Sequence, residues 1–123
     1  MTDDSTSATL PLDPGWSDIR EGVRRICEGF PNEYWVKLDH EGAYPADFVK
    51  ALTEAGYLAA LIPEEYGGSG LPLSAACAVL ETIHDSPCNA AACHAQMYTM
   101  GTVLRHGSEA QKRKYLPDIA SGE

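Results

Sequence analysis

The sequence predicts an all-α fold, a bundle of about five or six helices. Apolar residues recur at the three- and four-residue spacing of helices, and no segment shows the sustained alternation of a half-buried strand. An apolar content of 44% in 123 residues is enough for the packed core of one domain. Proline and glycine separate the periodic segments by short connections, which predicts mostly antiparallel neighbours.

The first predicted helix spans about 17–29, and a shorter one follows at about 32–39. Ser17 is expected to cap the first helix, and Pro31 prevents it from continuing. Its apolar stripe consists of Ile19, Val23, Ile26, Cys27 and Phe30. The apolar residues of the second are Tyr34, Trp35 and Leu38.

The third helix is predicted from Pro45 to Ala55. Proline is favoured at the first helical position, and Gly56 suits a left-handed cap at the end. The expected inward residues are Phe48, Val49, Leu52 and Ala55. Residues 57–72 are interpreted as a compact loop, in which Pro63 and two glutamates start one helical turn that the glycines at 67–70 end.

The fourth and fifth helices are predicted at about 74–85 and 89–105. Ser74 and Asn89 are expected to cap them, and Gly107 ends the fifth. The inward residues of the fourth are Ala76, Val79, Leu80 and Ile83. From Ser86 to Leu104 there is no charged side chain, yet the segment is too polar to span a membrane. It is therefore expected to be a central helix surrounded by others.

The sixth helix is predicted to start at Ser108. Ser108 and Gln111 match the capping-box pattern, in which each side chain bonds the backbone of the other residue. The expected inward residues are Tyr115, Leu116 and Ile119. Because proline can interrupt a helix, the sequence does not define whether this helix ends at Pro117 or continues beyond it.

The net charge is −9, and most of the acidic excess lies in residues 1–65. Such a chain repels phosphate backbones and anionic lipids, which argues against binding to nucleic acid or to membrane surfaces. Residues 1–15 are polar and predict a flexible tail before a helical domain over 16–123. They carry no secretory signal, so a cytoplasmic location is expected, with Cys27, Cys77, Cys88 and Cys93 as buried free thiols.

Metal binding and nucleophilic catalysis have little support in the sequence. Cys88 and Cys93 have four residues between them, but no second ligand pair follows, so no metal site is predicted. The adjacent Cys93 and His94 point about 100° apart on a helix, and core packing is the favoured interpretation over a catalytic pair. Glu64 and Glu65 are interpreted as a solvated helix start, because an acid–base role requires burial of one carboxylate.

Two features leave alternatives open. The glycines at 67–70 lack the pattern of a phosphate-binding loop, so a tight turn is favoured over a phosphate cradle. His94 lies among alanines, Met97 and Tyr98 in the uncharged helix. It is either a satisfied core histidine or a polar group at the rim of an acyl-type pocket, for which the small alanines leave room.

Four segments in order, from Tyr44 onward, carry a family resemblance that covers about residues 17–123. They are Tyr44-Pro45 to Gly56-Tyr57, Ile62-Pro63-Glu64-Glu65-Tyr66-Gly67-Gly68-Ser69-Gly70-Leu71, Val79-Leu80-Glu81-Thr82-Ile83, and Gly107 to Pro117 with Ser121-Gly122-Glu123 after it. They resemble the "YP…LaeaG", "iPeeyGGlGl", "vlEei" and "GteeQKerYLP…sGe" segments of the N-terminal all-α domain of acyl-CoA dehydrogenases.

The resemblance implies one third of a flavin-dependent enzyme that oxidises the Cα–Cβ bond of an acyl-CoA. In that family, removal of the α-proton by a carboxylate is coupled to transfer of a β-hydride to FAD. A β-rich middle domain and a C-terminal helical domain, both absent from this chain, hold most of the FAD and the catalytic glutamate. The resemblance also implies an electron-transfer acceptor protein and a homo-oligomer for the complete enzyme, with no catalytic residue in this chain.

The resemblance places part of the acyl pocket on the helix predicted at 89–105. By position, the wall residues are Ala90, Ala91, His94 and Tyr98. Small residues at 89–91 in place of bulkier ones imply a roomy or polar acyl group. The alternative function is a stand-alone helical interaction or ligand-binding module derived from that domain.

Overall fold

The computed structural model describes residues 15–123 and confirms the all-α prediction. Its helices are α1 (Ser17–Glu28), α2 (Asn32–Glu41), α3 (Ala46–Glu54), α4 (Leu73–His84), α5 (Ala91–His106) and α6 (Glu109–Ser121), with single 3-10 turns at Tyr57–Ala59 and Glu64–Tyr66. No strand occurs within these residues. The tail predicted over 1–15 lies, apart from Gly15, outside the described part of the chain.

The core lies between two helix pairs. α1 packs against α4, α5 packs against α6, and α3 contacts both α1 and α6. The turn Tyr57–Ala59 touches α3, α4, α5 and α6, and its Leu58 is fully buried. The other large, fully buried side chains are Val23, Phe48, Leu52, Ile62, Val79, Ile83, Cys93, Met100 and Leu116. One continuous apolar core therefore holds helices from both ends of the chain together.

A cluster of four aromatic rings attaches α2, which has no buried residue of its own. Phe30 lies 4.9 Å from Tyr34 and 5.3 Å from Phe48, and Trp35 lies 5.1 Å from Tyr34 and 4.9 Å from Phe48. All four pairs meet edge to face, the arrangement that aromatic quadrupoles favour. The indole N–H of Trp35 also donates to the Phe30 carbonyl at 3.0 Å, so the position of this ring is set on two sides.

Three of the predicted caps are wrong, since the N-cap of α5 is Ala90 rather than Asn89 and two predicted serine caps lie inside their helices. Ser17 lies inside α1, whose N-cap residue is Trp16 in a left-handed conformation with φ 56°. Ser74 lies inside α4, which begins after Pro72, and its hydroxyl instead accepts a hydrogen bond from the Trp16 indole at 3.0 Å. Serine near a helix start is thus available for tertiary contacts as well as for capping.

The capping box of α6 is confirmed in both directions. Ser108 Oγ accepts from the Gln111 backbone at 3.2 Å, and Gln111 Oε1 accepts from the Ser108 N–H at 2.9 Å. The helix then continues through Pro117 to Ser121. Pro117 is exposed, so water can satisfy the carbonyl one turn earlier that has lost its N–H partner.

The prediction that α5 is surrounded by other helices is wrong for the described residues. Only Cys93, Met97 and Met100 of this helix are buried. The opposite side carries Tyr98 at 60% exposure and the exposed Thr102. Its uncharged polar groups and small alanines need no cover, so the lack of charge did not require burial. No helix in this part of the chain is long and apolar enough to cross a membrane.

Three further residues predicted to be buried are exposed. Ala55 follows the last turn of α3 and Tyr115 is 47% exposed on α6. Cys77 lies on the outer side of α4, whereas Cys27, Cys88 and Cys93 are buried as expected. Tyr115 and Cys77 each lie next to a core position, Leu116 and Ala76 respectively, so an error of one residue along the helix places them on the wrong face.

Candidate substrate-binding site

Three of the four predicted pocket residues share one exposed face of α5. Ala91, His94 and Tyr98 follow one another at spacings of three and four residues, which places them in a row along the helix. The His94 and Tyr98 rings meet edge to face with centroids 5.3 Å apart. We call this row the α5 outer face. No other element of the described chain covers Tyr98, which remains 60% exposed.

Ala90 does not belong to the α5 outer face. It is the N-cap residue of α5, only 2% exposed, and part of the core cluster. Its carbonyl accepts the first helical hydrogen bond, from the His94 N–H at 2.8 Å. Ala90 therefore packs into the core at the start of α5, whereas Ala91, His94 and Tyr98 face outward.

The start of α5 is held in place by hydrogen bonds from the preceding loop. Asn89 Oδ1 accepts from the Ala91 N–H at 2.8 Å, and Ser86 Oγ accepts from the Cys88 N–H at 3.1 Å. The Cys88 thiol lies 3.6 Å from the carbonyl oxygens of Cys27 and Phe30 at the end of α1. These contacts attach the N-terminal end of the α5 outer face to the rigid α1.

Two grooves flank α5 on the side of α3. The first, of about 690 Å³, lies between α3, α5 and α6 and is lined by residues that include Lys50, Glu54 and Asp118. The second, of about 790 Å³, lies between the α2–α3 connection and the start of α5. Its walls include Trp35, Leu38, Tyr44 and Pro87, which the sequence did not single out as site residues. These residues come from segments about fifty residues apart in the sequence. Periodicity describes one helix at a time, so it cannot predict that two such segments line the same groove.

The geometry rules out a Cys93–His94 catalytic pair. Cys93 is fully buried and faces the core, whereas His94 is exposed on the α5 outer face. Burial also raises the pKa of the Cys93 thiol to about 11, and raises that of Cys27 to about 11. Protonated thiols are poor nucleophiles and poor metal ligands. Among residues 15–123 no group of three or more His, Cys, Asp or Glu is arranged to hold a metal ion.

The glycine-rich segment is a tight turn with its backbone N–H groups already paired. Gly68 N–H donates to Pro63 O at 3.1 Å, Ser69 N–H to Ala59 O at 3.2 Å, and Gly70 N–H to Ile62 O at 2.8 Å. A phosphate cradle needs free N–H groups that point at the ligand. The N–H groups of Gly68, Ser69 and Gly70 are all bonded within the protein, so they are not available to a phosphate. The preceding Glu64 and Glu65 are exposed, as expected for a solvated helix start.

Comparison with known proteins identifies the family. The model of the acyl-CoA dehydrogenase N-terminal domain matches residues 16–123. The chain belongs to the acyl-CoA dehydrogenase family. It is 33% identical over 106 residues to the probable acyl-CoA dehydrogenase FadE25 of Mycobacterium tuberculosis, covering 85% of this chain and 27% of that protein.

Other acyl-CoA dehydrogenases are similar over the same region. Glutaryl-CoA dehydrogenase of Desulfococcus multivorans is 37% identical over 112 residues, which are 86% of this chain and 28% of the relative. Mitochondrial isovaleryl-CoA dehydrogenase of Oryza sativa is 28% identical over 124 residues, 97% of this chain and 30% of the relative. The chain thus spans less than a third of the length of the curated relatives it matches.

A solved structure shares the fold. It is described as the electron transferring flavoprotein of Acidaminococcus fermentans, in work towards a mechanism of flavin-based electron bifurcation. Its TM-score to this chain is 0.73 at 22% identity, and the match covers 99% of this chain and 31% of the other. At this identity the likeness shows the fold alone.

The segments that carry the acyl-CoA dehydrogenase resemblance are parts of the scaffold. Pro45 precedes α3, the glycine turn closes on Ile62, and Ser108 caps α6. Glu81 forms an ion pair with Arg20 at 2.5 Å, which links α4 to α1. The motifs therefore explain why the helices pack in this way, while the α5 outer face carries no motif of its own.

Proposed function

We propose that this chain is the N-terminal helical domain of an FAD-dependent acyl-CoA dehydrogenase and that its α5 outer face forms one wall of the acyl pocket. The uncovered row of Ala91, His94 and Tyr98 carries this proposal. An apolar and aromatic row without a partner in its own domain is suited to a ligand or to another domain. The family match over 16–123 makes an acyl thioester the ligand expected there.

The α5 outer face positions the acyl chain and keeps water away from it. The Tyr98 ring supplies a broad apolar surface, and its contact with His94 limits the motion of both rings. Ala91 is small and leaves space where the row ends. An acyl chain held in this way reaches the reacting groups in a defined orientation, which is how remote contacts accelerate a reaction.

The catalytic base is proposed to lie outside residues 15–123. Every Asp and Glu in this range is exposed, whereas a base for removal of an α-proton works best when burial brings its pKa close to the operating pH. Similarly, the glycine turn has no free N–H row for the FAD phosphates. We therefore assign the base and most of the FAD site to other parts of the complete enzyme, which we also propose to be a homo-oligomer served by an electron-transfer acceptor protein.

An activity assay of the chain alone tests this division of roles. The purified 123-residue chain is mixed with FAD, an acyl-CoA and a dye that accepts electrons. We expect no reduction of the dye beyond the rate without protein, while a complete acyl-CoA dehydrogenase run in parallel reduces it. Turnover by the chain alone would contradict the proposal.

Covalent footprinting tests the position of the α5 outer face. Tyr98 and Tyr115 are both exposed tyrosines, on α5 and α6 respectively. In the isolated chain both are expected to react with a tyrosine-modifying reagent. In the complete enzyme Tyr98 is expected to be protected, and further protected by acyl-CoA, because the pocket covers it. A Tyr98 that reacts equally in both forms would place this face outside the pocket.

A further inference from the structure

Three cysteine side chains come together in the core although two of them lie far from the third in the sequence. Cys27 lies in the last turn of α1, Cys93 lies in the first turn of α5, and Cys88 lies in the connection that precedes α5. All three belong to one apolar cluster, with exposures of 4%, 0% and 7% for Cys27, Cys93 and Cys88. The proposed pocket wall makes no use of these thiols, so their chemistry is open to a separate role.

The sulfur of Cys88 lies against the backbone of Cys27. It is 3.6 Å from the Cys27 carbonyl oxygen and 3.6 Å from the Phe30 carbonyl oxygen. Because the Cβ of a residue is only two bonds from its carbonyl carbon, a sulfur in this position also lies close to the Cys27 side chain. The electrostatics agree with this placement. Burial is the largest cause that raises the pKa of Cys27 to about 11, and the neighbouring Cys88 thiol raises it further.

We propose that Cys27 and Cys88 form a disulfide when a peroxide oxidises the chain. A disulfide needs sulfur atoms about 2.05 Å apart and Cβ atoms about 3.5–4.5 Å apart, so one of the two residues has to move. Cys88 is able to move because residues 85–90 lie between helices. Its sulfur makes both of its hydrogen bonds to the end of α1, which favours Cys27 over Cys93 as its partner.

The reaction balances with one molecule of hydrogen peroxide. The Cys88 sulfur attacks one peroxide oxygen and the O–O bond breaks, which leaves a sulfenic acid on Cys88 and releases one water. The Cys27 sulfur then attacks the Cys88 sulfur, the S–O bond breaks, and the sulfenic oxygen leaves with the thiol proton as a second water. The two thiols together lose two electrons and two protons. A dithiol reductant reverses the step by exchange and becomes a disulfide itself.

The connection between α4 and α5 is the route by which the oxidant reaches the pair. Cys88 is the most exposed of the three buried thiols. Its N–H is bonded to Ser86 Oγ at 3.1 Å, and that hydroxyl donates to the Ile83 carbonyl at 2.6 Å. A connection held by so few hydrogen bonds opens at a lower free energy than the whole domain. We therefore expect the pair to react in the native chain, but more slowly than the exposed Cys77.

The disulfide joins α5 to α1 by a covalent bond. Its two residues are 61 positions apart, and a cross-link over a loop of this length removes much of the conformational freedom of the unfolded chain. We expect the melting temperature of the linked chain to lie about 5–15 °C above that of the reduced chain. The pair would thus make the domain more stable under oxidising conditions.

Peptide mapping of the oxidised chain tests the pairing. A Cys77→Ser chain is used, so that the exposed thiol cannot link two molecules, and hydrogen peroxide is added under native conditions. Trypsin separates Cys27 from Cys88 and Cys93, which stay on one peptide, and fragmentation of the linked peptides assigns the partner. We expect a Cys27–Cys88 link, a mass lower by two hydrogen atoms, and recovery of both thiols with dithiothreitol.

Oxidation in denaturant is the control for the role of the fold. In an unfolded chain the entropy of loop closure favours the nearest pair, Cys88 and Cys93. A Cys27–Cys88 link that dominates only under native conditions therefore comes from the folded structure. Two matched variants add a second control. Cys88→Ala should lose both the link and the rise in melting temperature, whereas Cys93→Ala should keep both.

Three results would overturn the inference. They are a main native product that contains Cys93, thiols that react only after the chain has unfolded, and a Cys27–Cys88 link that leaves the melting temperature unchanged or lower. The melting curve of each reduced variant shows whether that variant folds, and the peptide map of the Cys77→Ser chain decides the pairing without them. None of these results alters the proposed pocket wall, which the footprinting of Tyr98 tests separately.

Discussion

Gly68 is the glycine at which an added side-chain Cβ would come closest to another segment's backbone. A Cβ at this position would overlap the carbonyl and the Cβ of Ile62, both in the core of the glycine turn. Since Ile62 is fully buried and its carbonyl already accepts from Gly70, neither can move aside cheaply. The turn that resembles the family motif therefore requires glycine for close approach of two backbone segments.

We predict that Gly68→Ala lowers the free energy of unfolding by about 1–3 kcal/mol, the usual cost of overpacking. Gly101→Ala is the matched control, because a Cβ there meets nothing within 4 Å and alanine favours the helix interior by about 1 kcal/mol. Urea denaturation of both variants measures the difference. A Gly68→Ala chain as stable as Gly101→Ala would contradict the close packing of the turn.

The thiols predict how the chain responds to alkali. Burial raises the pKa of Cys27 and of Cys93 from 9.0 to about 11. A group whose pKa is raised by folding stabilises the native state below the unfolded pKa and loses this contribution as the pH passes through the folded one. We therefore expect the free energy of unfolding to fall between about pH 9 and 11. Replacement of both thiols by alanine should remove this part of the pH dependence.

The same thiols predict a labelling pattern. In the native chain at pH 8, iodoacetamide should modify the exposed Cys77 and spare the buried Cys27, Cys88 and Cys93. In denaturant all four should react. Mass spectrometry counts the labels, with Cys77→Ser as the control that removes the native one. Rapid labelling of Cys93 in the native chain would contradict its position in the core.

At the scale of the helix, the cap of α6 can be compared directly with a serine that does not cap. Ser108→Ala removes one side of the capping box and should cost about 0.5–2 kcal/mol of stability. Ser17→Ala should change the stability by less than about 0.5 kcal/mol, because no side-chain bond caps α1. Thermal unfolding of both variants checks this. Equal losses would restore Ser17 as a cap.

These caps also show how far the sequence predicts the elements. Helix positions followed from periodicity together with Pro31, Gly56 and Gly107, because these residues restrict or free the backbone wherever they occur. The capping box was predictable since it consists of two residues that support each other three positions apart. Ser17 and Ser74 each offered one polar group, and such a group goes to whichever partner the tertiary fold brings near.

For the site, the sequence predicts that Ala91, His94 and Tyr98 share a face, but it does not predict that this face is exposed. Ala91, His94 and Tyr98 lie at helical spacing, so their common face follows from the position of α5 alone. Trp35, Tyr44 and Pro87 join Ala91 only because the aromatic cluster holds α2 near the start of α5. Contacts of this kind depend on long-range packing, which a local sequence pattern does not predict.

At the scale of the whole molecule, two hypotheses about function assign different roles to the α5 outer face. A stand-alone interaction module, the alternative from the sequence, would use this face for a partner of its own and be stable without further domains. A domain of a larger acyl-CoA dehydrogenase would present it to the acyl group and to the rest of the enzyme. Both share the core, so the behaviour of the α5 outer face helps to distinguish them.

The most direct measurement is kcat/KM for an acyl-CoA in the complete enzyme, compared between Tyr98→Ala and Tyr115→Ala. Both variants remove an exposed ring, so any general effect on stability is matched. We expect Tyr98→Ala to lower kcat/KM about ten- to a hundredfold, the loss of about 1.5–3 kcal/mol of ring burial, and Tyr115→Ala to stay within about twofold. Equal values for the two variants would contradict the assignment of the α5 outer face to the acyl pocket.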